Sequence, residues 1–426
     1  MALQRFIPTS PDVNIRSGQD LEGARFGHLN TIVEYINGNS GAGLKLSGNG
    51  LIAITLKSVL DSAGNTTPLL VSSTSITNYG AGGITTNTAF GQGALIANTT
   101  GAYNVAIGET SMFSNTTGYS NTAVGEASLF YNTTGSYNEA IGQGALGLNT
   151  TGSNNNAMGT FALYNNTTGN WNTGIGQGAL YYNTTGGANI AIGRSSAELN
   201  TTGSENIAIG RQTLRNNVVG NQNTAIGRFA LFSNTASNNT AVGYQAGYSN
   251  TIGTSITALG YLSLRGNTTG NNNTSVGDSA LYTNTTGSGN TAIGTYTLRL
   301  NQTGTGNTAL GYLSLENNTN SNNTALGYRS LNANTSGTTN VAVGVDALSN
   351  NTTANNNTAI GYNTQTGNFS NSVILGAAAT ATADNQFVVG STTVNAGTID
   401  TAAVTPTQRW KVKINGVDYY IALQPV

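Results

Sequence analysis

Three arginines in the middle of the chain, Arg194, Arg211 and Arg228, are spaced 17 residues apart, and each directly follows a glycine. If the fold brings one repeat over the next, their guanidinium groups form a column that would bind an anion such as an acidic polysaccharide. Glu198 and Glu205 lie close in sequence and are the acids that would instead neutralise this column.

Tyrosines take over the position after the glycine further along the chain. They are Tyr244, Tyr261, Tyr312, Tyr328 and Tyr362. A column of exposed rings can stack on sugar rings, or the rings can pack on one another and serve only the fold. The sequence leaves both interpretations open.

The composition excludes most enzyme chemistry. The chain has no cysteine and a single histidine, His28, which removes cysteine nucleophiles, His/Cys zinc sites and Ser-His-Asp triads from the repeated region. Charged residues make up 7% of the chain, and the formal net charge of −1 gives no basic footprint for nucleic acid. No apolar run approaches the ~20 residues of a membrane span. We therefore predict a non-enzymatic protein with no cofactor or metal, no nucleic-acid partner and no membrane insertion.

A short repeat must position these residues. Asn-Thr-Ala-Ile-Gly and its variants recur with glycines from Gly91 to Gly361, mostly at intervals of 17 residues and twice at 16, and two degenerate units end at Gly376 and Gly390. The unit reads N-T-A-I-G-x-x-A-L-x-x-N-T-T-G-x-x. Because Asn and Gly tolerate left-handed backbone, we predict a turn at Asn-Thr-Thr-Gly, and the two short units lose their residue in that turn.

This regularity predicts an all-β fold, a parallel β-roll or β-solenoid in which each repeat adds one rung. We expect two short β-type segments in every unit, with turns between them. The array spans 87–390, and nineteen rungs at a strand spacing of ~4.8 Å give a rod of roughly 90 Å.

The alternation of side chains along a strand predicts self-association. The Ala and Ile of Thr-Ala-Ile-Gly are both apolar but point to opposite faces, and one coil can enclose only one face. We expect the other face to pack on a neighbouring chain, with the small alanine allowing close approach, and a parallel homotrimer is the simplest closed arrangement. The residues predicted to pack in the core or the trimer are Ile107, Ile141, Ile175, Ile192, Ile209, Ile226, Ile293 and Leu310.

The degenerate units carry a family resemblance. Asn-Ser-Val-Ile-Leu-Gly at 371–376, followed by Ala-Thr-Ala-Thr-Ala-Asp-Asn-Gln-Phe-Val-Val-Gly at 379–390, resembles the ~14-residue head repeats of trimeric autotransporter adhesins, a left-handed parallel β-roll three chains wide. The 17-residue form resembles a variant found in bacteriophage fibre proteins. The adhesins begin with a secretion signal and end with a coiled coil and membrane barrel strands, whereas this sequence shows neither pattern, which favours the phage fibre.

The resemblance implies a structural virion fibre, on the head or the tail of a phage, made in the host cytoplasm and acting as a homotrimer. Its partners would be a virion protein at the N-terminal end and a host-surface glycan or protein at the C-terminal end. An adhesin at the bacterial cell surface is the alternative. An ice-binding solenoid is a weaker one, because each strand offers one threonine rather than a Thr-x-Thr pair.

Different residues mark the two ends. We predict an attachment segment at 1–43 with a helix at 17–36, a β-rich connector at 44–86, and a tip at 391–426 built on a hairpin around Asn415-Gly416. The hairpin would cap the rod, and its aromatic and charged residues are candidates for contact with the host receptor. These candidates are Tyr420, Lys413, Lys411 and Trp410.

Overall fold

The computed structural model describes residues 84, 86–391, 409–414 and 417–422, and this part of the chain is all-β. The predicted helix at 17–36 and the β-rich connector up to residue 83 lie outside the described residues. The strands of the repeat array are β1 Thr88–Phe90, β2 Val105–Ile107, β3 Thr122–Val124, β4 Glu139–Ile141, β5 Asn156–Met158, β6 Thr173–Ile175, β7 Ile190–Ile192, β8 Ile207–Ile209, β9 Thr224–Ile226, β10 Thr240–Val242, β11 Thr257–Leu259, β12 Thr274–Val276, β13 Thr291–Ile293, β14 Thr308–Leu310, β15 Thr324–Leu326, β16 Val341–Val343, β17 Thr358–Ile360, β18 Val373–Leu375 and β19 Phe387–Val389. Two further strands are β20 Arg409–Ile414 and β21 Val417–Ala422.

The repeat array is a parallel β-solenoid, as predicted. Each strand from β1 to β18 pairs in parallel with the next strand along the chain, and corresponding residues of successive repeats lie directly opposite each other. Ala89 is paired with Ala106, for example, and Ala106 with Ala123. Columns of equivalent residues therefore run along the solenoid at a spacing of ~4.8 Å.

Each coil contains one strand of three residues, so the predicted second β-segment is wrong. The Ala-Leu region instead contains two residues with left-handed backbone, one on each side of a third: Ala127 has a φ of 53° and Leu129 a φ of 49°. This conformation is unfavourable for residues other than glycine. Hydrogen bonds between coils hold it, since the amide of Leu129 donates to the carbonyl oxygen of Ala145 at 2.9 Å and the amide of Ala127 donates to that of Glu109 at 2.9 Å.

The interior of the coil is narrow and is filled by small side chains and one leucine. The central strand residue, usually alanine, and the leucine four residues after the anchor glycine are fully buried in nearly every coil, as Ala140 and Leu146 are. The first and last strand residues point outward. The expectation that alanine would face a neighbouring chain is therefore wrong, because this small residue is what fits the interior.

Two columns of buried asparagines complete the core. In the column of the Asn-Thr-Thr-Gly turns, Nδ2 of Asn132 donates to Oδ1 of Asn115 at 2.7 Å and to the carbonyl oxygen of Gly135 at 2.9 Å. In the column that precedes the strands, the backbone amide of Asn121 donates to Oδ1 of Asn104 at 3.0 Å. These asparagines thus bind both backbone groups and one another across successive coils.

The turn glycines allow close approach between coils and do not adopt left-handed backbone. Gly152 has no positive φ, and a Cβ placed on it would lie 2.5 Å from the carbonyl oxygen of Gly169 in the next coil. The anchor glycines combine close approach to the next coil with a positive φ. Gly125 has a φ of 134°, and a Cβ there would lie 2.7 Å from the carbonyl carbon of Gly142.

The two short units keep the strands in register, because Thr224 pairs with Thr240 and Thr308 with Thr324. Their missing residue falls in the turn, as predicted. At the first short turn, the column of turn asparagines loses a hydrogen bond, because the buried Oδ1 of Asn217 has no partner.

Strands β20 and β21 pair in antiparallel fashion and are joined across residues 415–416. The register places Lys411 opposite Tyr420, and Lys413 opposite Asp418. The role of this hairpin as a cap stays a prediction.

Candidate functional site

The most extensive outward feature is a column formed by the last residue of every strand from β1 to β19, which we call the apolar column. Its members are Phe90, Ile107, Val124, Ile141, Met158, Ile175, Ile192, Ile209, Ile226, Val242, Leu259, Val276, Ile293, Leu310, Leu326, Val343, Ile360, Leu375 and Val389. Every one of these residues is apolar, although the position lies outside the coil. Alternation along the strand causes this placement, because the central residue takes the interior.

All eight residues predicted to pack in the core or the trimer belong to the apolar column. None of them enters the interior of its own coil: Ile107 is 38% exposed and Leu310 is 42% exposed, while Ile192 and Ile209 are half-buried. The core part of the expectation is therefore wrong for a single chain. Packing against another chain stays a prediction, and the exposure of these residues leaves them available for it.

A second outward column follows the anchor glycines, and we call its segment Arg194, Arg211, Arg228, Tyr244 and Tyr261 the arginine–tyrosine column. The three arginines lie on consecutive coils and are exposed. The next two coils carry the two tyrosines, whose rings are stacked with centroids 5.6 Å apart and an interplanar angle of 14°. The sequence predicted these columns correctly, since strict register brings equal positions together.

The acids expected to neutralise the arginines bind other partners. Oε2 of Glu198 accepts a hydrogen bond from Nε of Arg215 at 2.6 Å, and Oε2 of Glu205 accepts one from Nε2 of Gln222 at 3.0 Å. Among the residues that the structure describes, no carboxylate lies within 4.0 Å of the guanidinium group of Arg194, Arg211 or Arg228.

A third column, five residues after the anchor glycine, was missed by sequence reasoning. Within it, Phe113 stacks on Phe130 with centroids 5.1 Å apart, and Tyr164 stacks on Tyr181 at 5.5 Å. Burial raises the pKa of the Tyr181 hydroxyl above the usual value for tyrosine. The signal was present in the sequence, because these aromatic residues recur at the repeat interval.

The same third column also pairs its charges internally. Besides the Glu198–Arg215 pair, Nη1 of Arg299 lies 3.7 Å from Oε1 of Glu316. The guanidinium group of Arg265 lies between two rings, 5.5 Å from the centroid of Tyr248 and 5.6 Å from that of Tyr282. This column places its arginines beside acids or aromatic rings, whereas the arginine–tyrosine column leaves its cations uncompensated by carboxylates.

An open groove of about 490 Å³ runs along the solenoid between outward positions of neighbouring columns. It is lined by Leu148, Asn165, Thr167, Tyr182, Thr184, Leu199, Thr201 and Val218. The threonine hydroxyls at its edge are engaged within the fold, since Oγ1 of Thr167 donates to the carbonyl oxygen of Thr184 at 3.1 Å.

Comparison with known protein families and with curated proteins finds no match to this chain. Across residues 86–391 and the two described strands near the C-terminus, no three acidic, histidine or cysteine side chains are placed to hold a metal ion. No helix long and apolar enough to cross a membrane occurs in the same part of the chain. The receptor candidates Trp410, Lys411, Lys413 and Tyr420 lie on β20 and β21, and their side chains fall outside the description.

Proposed function

We propose that the protein is a structural fibre of a bacteriophage virion that assembles as a homotrimer and contacts the host surface. The observation that carries the proposal is the apolar column, nineteen outward positions without a charged or polar residue in the described strands. Surfaces of this kind on soluble proteins mark interaction sites, because monomers rarely expose contiguous apolar patches larger than a few hundred Å².

The repeat itself argues that the partner is another copy of the chain. The apolar column extends over roughly 90 Å with one side chain per ~4.8 Å. A surface with the same period and length matches it along its whole course, and a second copy in parallel alignment has both. Three copies around an axis parallel to the solenoid would bring three apolar columns together and close the assembly.

A fibre also fits the resemblance to phage fibre repeats and the shape of the repeat array, which builds length rather than a deep cleft. In this proposal residues 1–80 attach to the particle, where ten charged residues are concentrated in 1–61. The hairpin of β20 and β21 lies at the outer end and presents Tyr420, Lys413, Lys411 and Trp410 to a host glycan or protein. The protein is then found in the virion after synthesis in the host cytoplasm.

Mass spectrometry of purified phage particles tests the assignment. We expect peptides of this chain in particles purified from lysates, and we expect a chain truncated before residue 81 to trimerise yet be absent from them. Detection of the chain on intact uninfected cells, together with its absence from particles, would instead favour the bacterial adhesin.

Adsorption to host cells tests the tip. Replacing Tyr420 and Lys413 with alanine should reduce adsorption of the virion while leaving the melting temperature of the trimer unchanged. The matched control replaces the exposed residues Tyr103 and Thr117 of the solenoid with alanine. If the tip variant adsorbs as well as the control, the hairpin is a cap and host contact must be sought elsewhere.

A further inference from the structure

The arginine–tyrosine column presents uncompensated positive charge in a fixed spacing. Strands β7, β8 and β9 pair in strict register, with Ile192 opposite Ile209 and Ile209 opposite Ile226. The residues two positions later, Arg194, Arg211 and Arg228, are therefore separated by one coil each, ~4.8 Å along the solenoid. Like charges at this spacing repel one another, and the nearby acids Glu198 and Glu205 are engaged elsewhere.

The two coils that follow add a flat aromatic surface to the same column. Tyr244 is 37% exposed and Tyr261 is 53% exposed, although their rings stack on each other. On the preceding coil the guanidinium group of Arg228 lies 4.6 Å from the centroid of the Phe229 ring. Cations and exposed rings thus succeed one another along a single line on the outside of the solenoid.

We infer that this line binds an acidic polysaccharide whose chain runs parallel to the solenoid axis. Guanidinium groups bind carboxylates through paired hydrogen bonds, and aromatic rings pack on the apolar faces of sugar rings. A linear glycan carrying carboxylates can engage both within the ~20 Å that five coils span. The site is independent of the hairpin tip and of the fibre assignment, because it consists of solenoid residues alone.

A nucleic acid is the other linear polyanion that could meet cations and rings. The chain does not favour it, because its formal net charge is −1 and its sequence pI is about 5.8. Nucleic-acid binding relies on a broad basic surface, whereas the arginines of the repeat array outside this line are paired with acids or rings. A carboxylate glycan needs fewer cations since part of its contact is made by the sugar rings.

Binding of a defined oligouronate to the purified full chain tests the inference, measured by calorimetry at ~50 mM and ~200 mM salt. We expect binding that weakens as salt rises, and no binding of neutral dextran. The variant R194Q/R211Q should weaken binding about tenfold or more, since each charge-assisted contact is stronger than a neutral one. Y244A/Y261A should weaken binding at both salt concentrations alike, because ring stacking is not screened by ions.

The matched control is R299Q/R329Q, which removes the same charge from two arginines that are paired with Glu316 and Asp346. We expect its affinity for oligouronate to stay within about twofold of the parent, because the two arginines lie outside the arginine–tyrosine column. Loss of these partly exposed ion pairs should also change the stability of the fold little. Failure of the parent chain to bind oligouronate would overturn the inference, as would equal losses in the two arginine variants. Equal or tighter binding of oligo-dT would show that the line takes a nucleic acid instead. None of these results bears on whether the chain is found in phage particles, so the glycan inference and the fibre proposal can fail separately.

Discussion

The side chain of Ile256 occupies space in the core that Gly247 leaves open. Gly247 stands where most coils carry the buried leucine, and Ile256 stands where other coils carry the asparagine that precedes the strand. A Cβ placed on Gly247 would lie 3.6 Å from Cδ1 of Ile256 and 3.0 Å from Cδ2 of Leu231. The two departures from the repeat lie within one turn of the chain and compensate for each other in volume.

This compensation predicts strong coupling between the two positions. G247L alone should overpack the core and lower the free energy of unfolding by about 1–3 kcal/mol, although its φ of 59° suits the leucine conformation of other coils. I256N alone should leave a cavity, and the double variant should regain most of both losses, with a coupling of about 1–3 kcal/mol in chemical denaturation. G247L combined with I252N, at an exposed position, should be additive. Additive losses in the first pair would contradict the volume argument.

The short turn at Asn234 leaves a buried polar atom without a hydrogen bond. Nδ2 of Asn234 donates to the carbonyl oxygen of Ala236 at 2.8 Å, and the buried Oδ1 of Asn217 has no hydrogen-bond partner. Replacing Ala236 with threonine and inserting a glycine after it, which changes Asn234-Thr-Ala-Ser to Asn-Thr-Thr-Gly-Ser, should restore the column and stabilise the protein by about 1–3 kcal/mol. Thermal unfolding at a fixed protein concentration measures this. The same insertion after Thr167, in a turn of full length, should destabilise; stabilisation there, or none at the short turn, would refute the explanation.

The anchor glycines predict a sharp contrast between two substitutions of the same kind. G125A places a Cβ against the carbonyl group of Gly142 at a φ of 134°, which alanine rarely adopts, and should cost several kcal/mol or prevent folding. G178A lies at a φ of 65°, where other coils carry Ala127 or Ser195, and its Cβ would meet no atom closer than 3.9 Å. We expect it to change stability by less than about 1 kcal/mol. Comparable losses for the two variants in thermal unfolding would rule out close approach as the cause.

Assembly through the apolar column predicts that charge there blocks association. The parent chain should have a mass near three times 43.5 kDa in light scattering. I192D/I209D should give a single-chain mass with unchanged circular dichroism, because a buried unpaired charge costs several kcal/mol per site. The control T185D/T202D carries the same charges on exposed turn residues and should remain trimeric. A parent chain that is a stable monomer, or a trimeric I192D/I209D, would sink the proposal.

The period of the repeat was enough to predict the parallel register and the columns, because a constant interval leaves little choice of partner for each strand. It could not predict which face of the strand is inside. Ala191 and Ile192 are both apolar, and only the narrow coil decides that alanine enters it. The left-handed leucines were beyond prediction as well, since local preference opposes them and hydrogen bonds from neighbouring coils overrule it.

The candidate site was predictable to a similar degree. Arg194 and Tyr244 each follow an anchor glycine directly, and this shared position identified them as members of one column. The true partner of Glu198 was missed because Arg215 lies a full coil away in sequence, while proximity in sequence pointed to the other arginines. In a solenoid, residues one repeat apart are closer neighbours than many residues within a repeat.

Because Ala89 is paired with Ala106 and all later strands continue that register, every coil of the array pairs with its neighbours through the same backbone positions. Duplication or loss of one repeat in the gene would join matching surfaces and change the length of the array by ~4.8 Å without any new kind of contact. The length of the array is thus inherited as a number of repeats. Selection acting on that length can change it only in whole steps, and each step preserves the fold that the other repeats already specify.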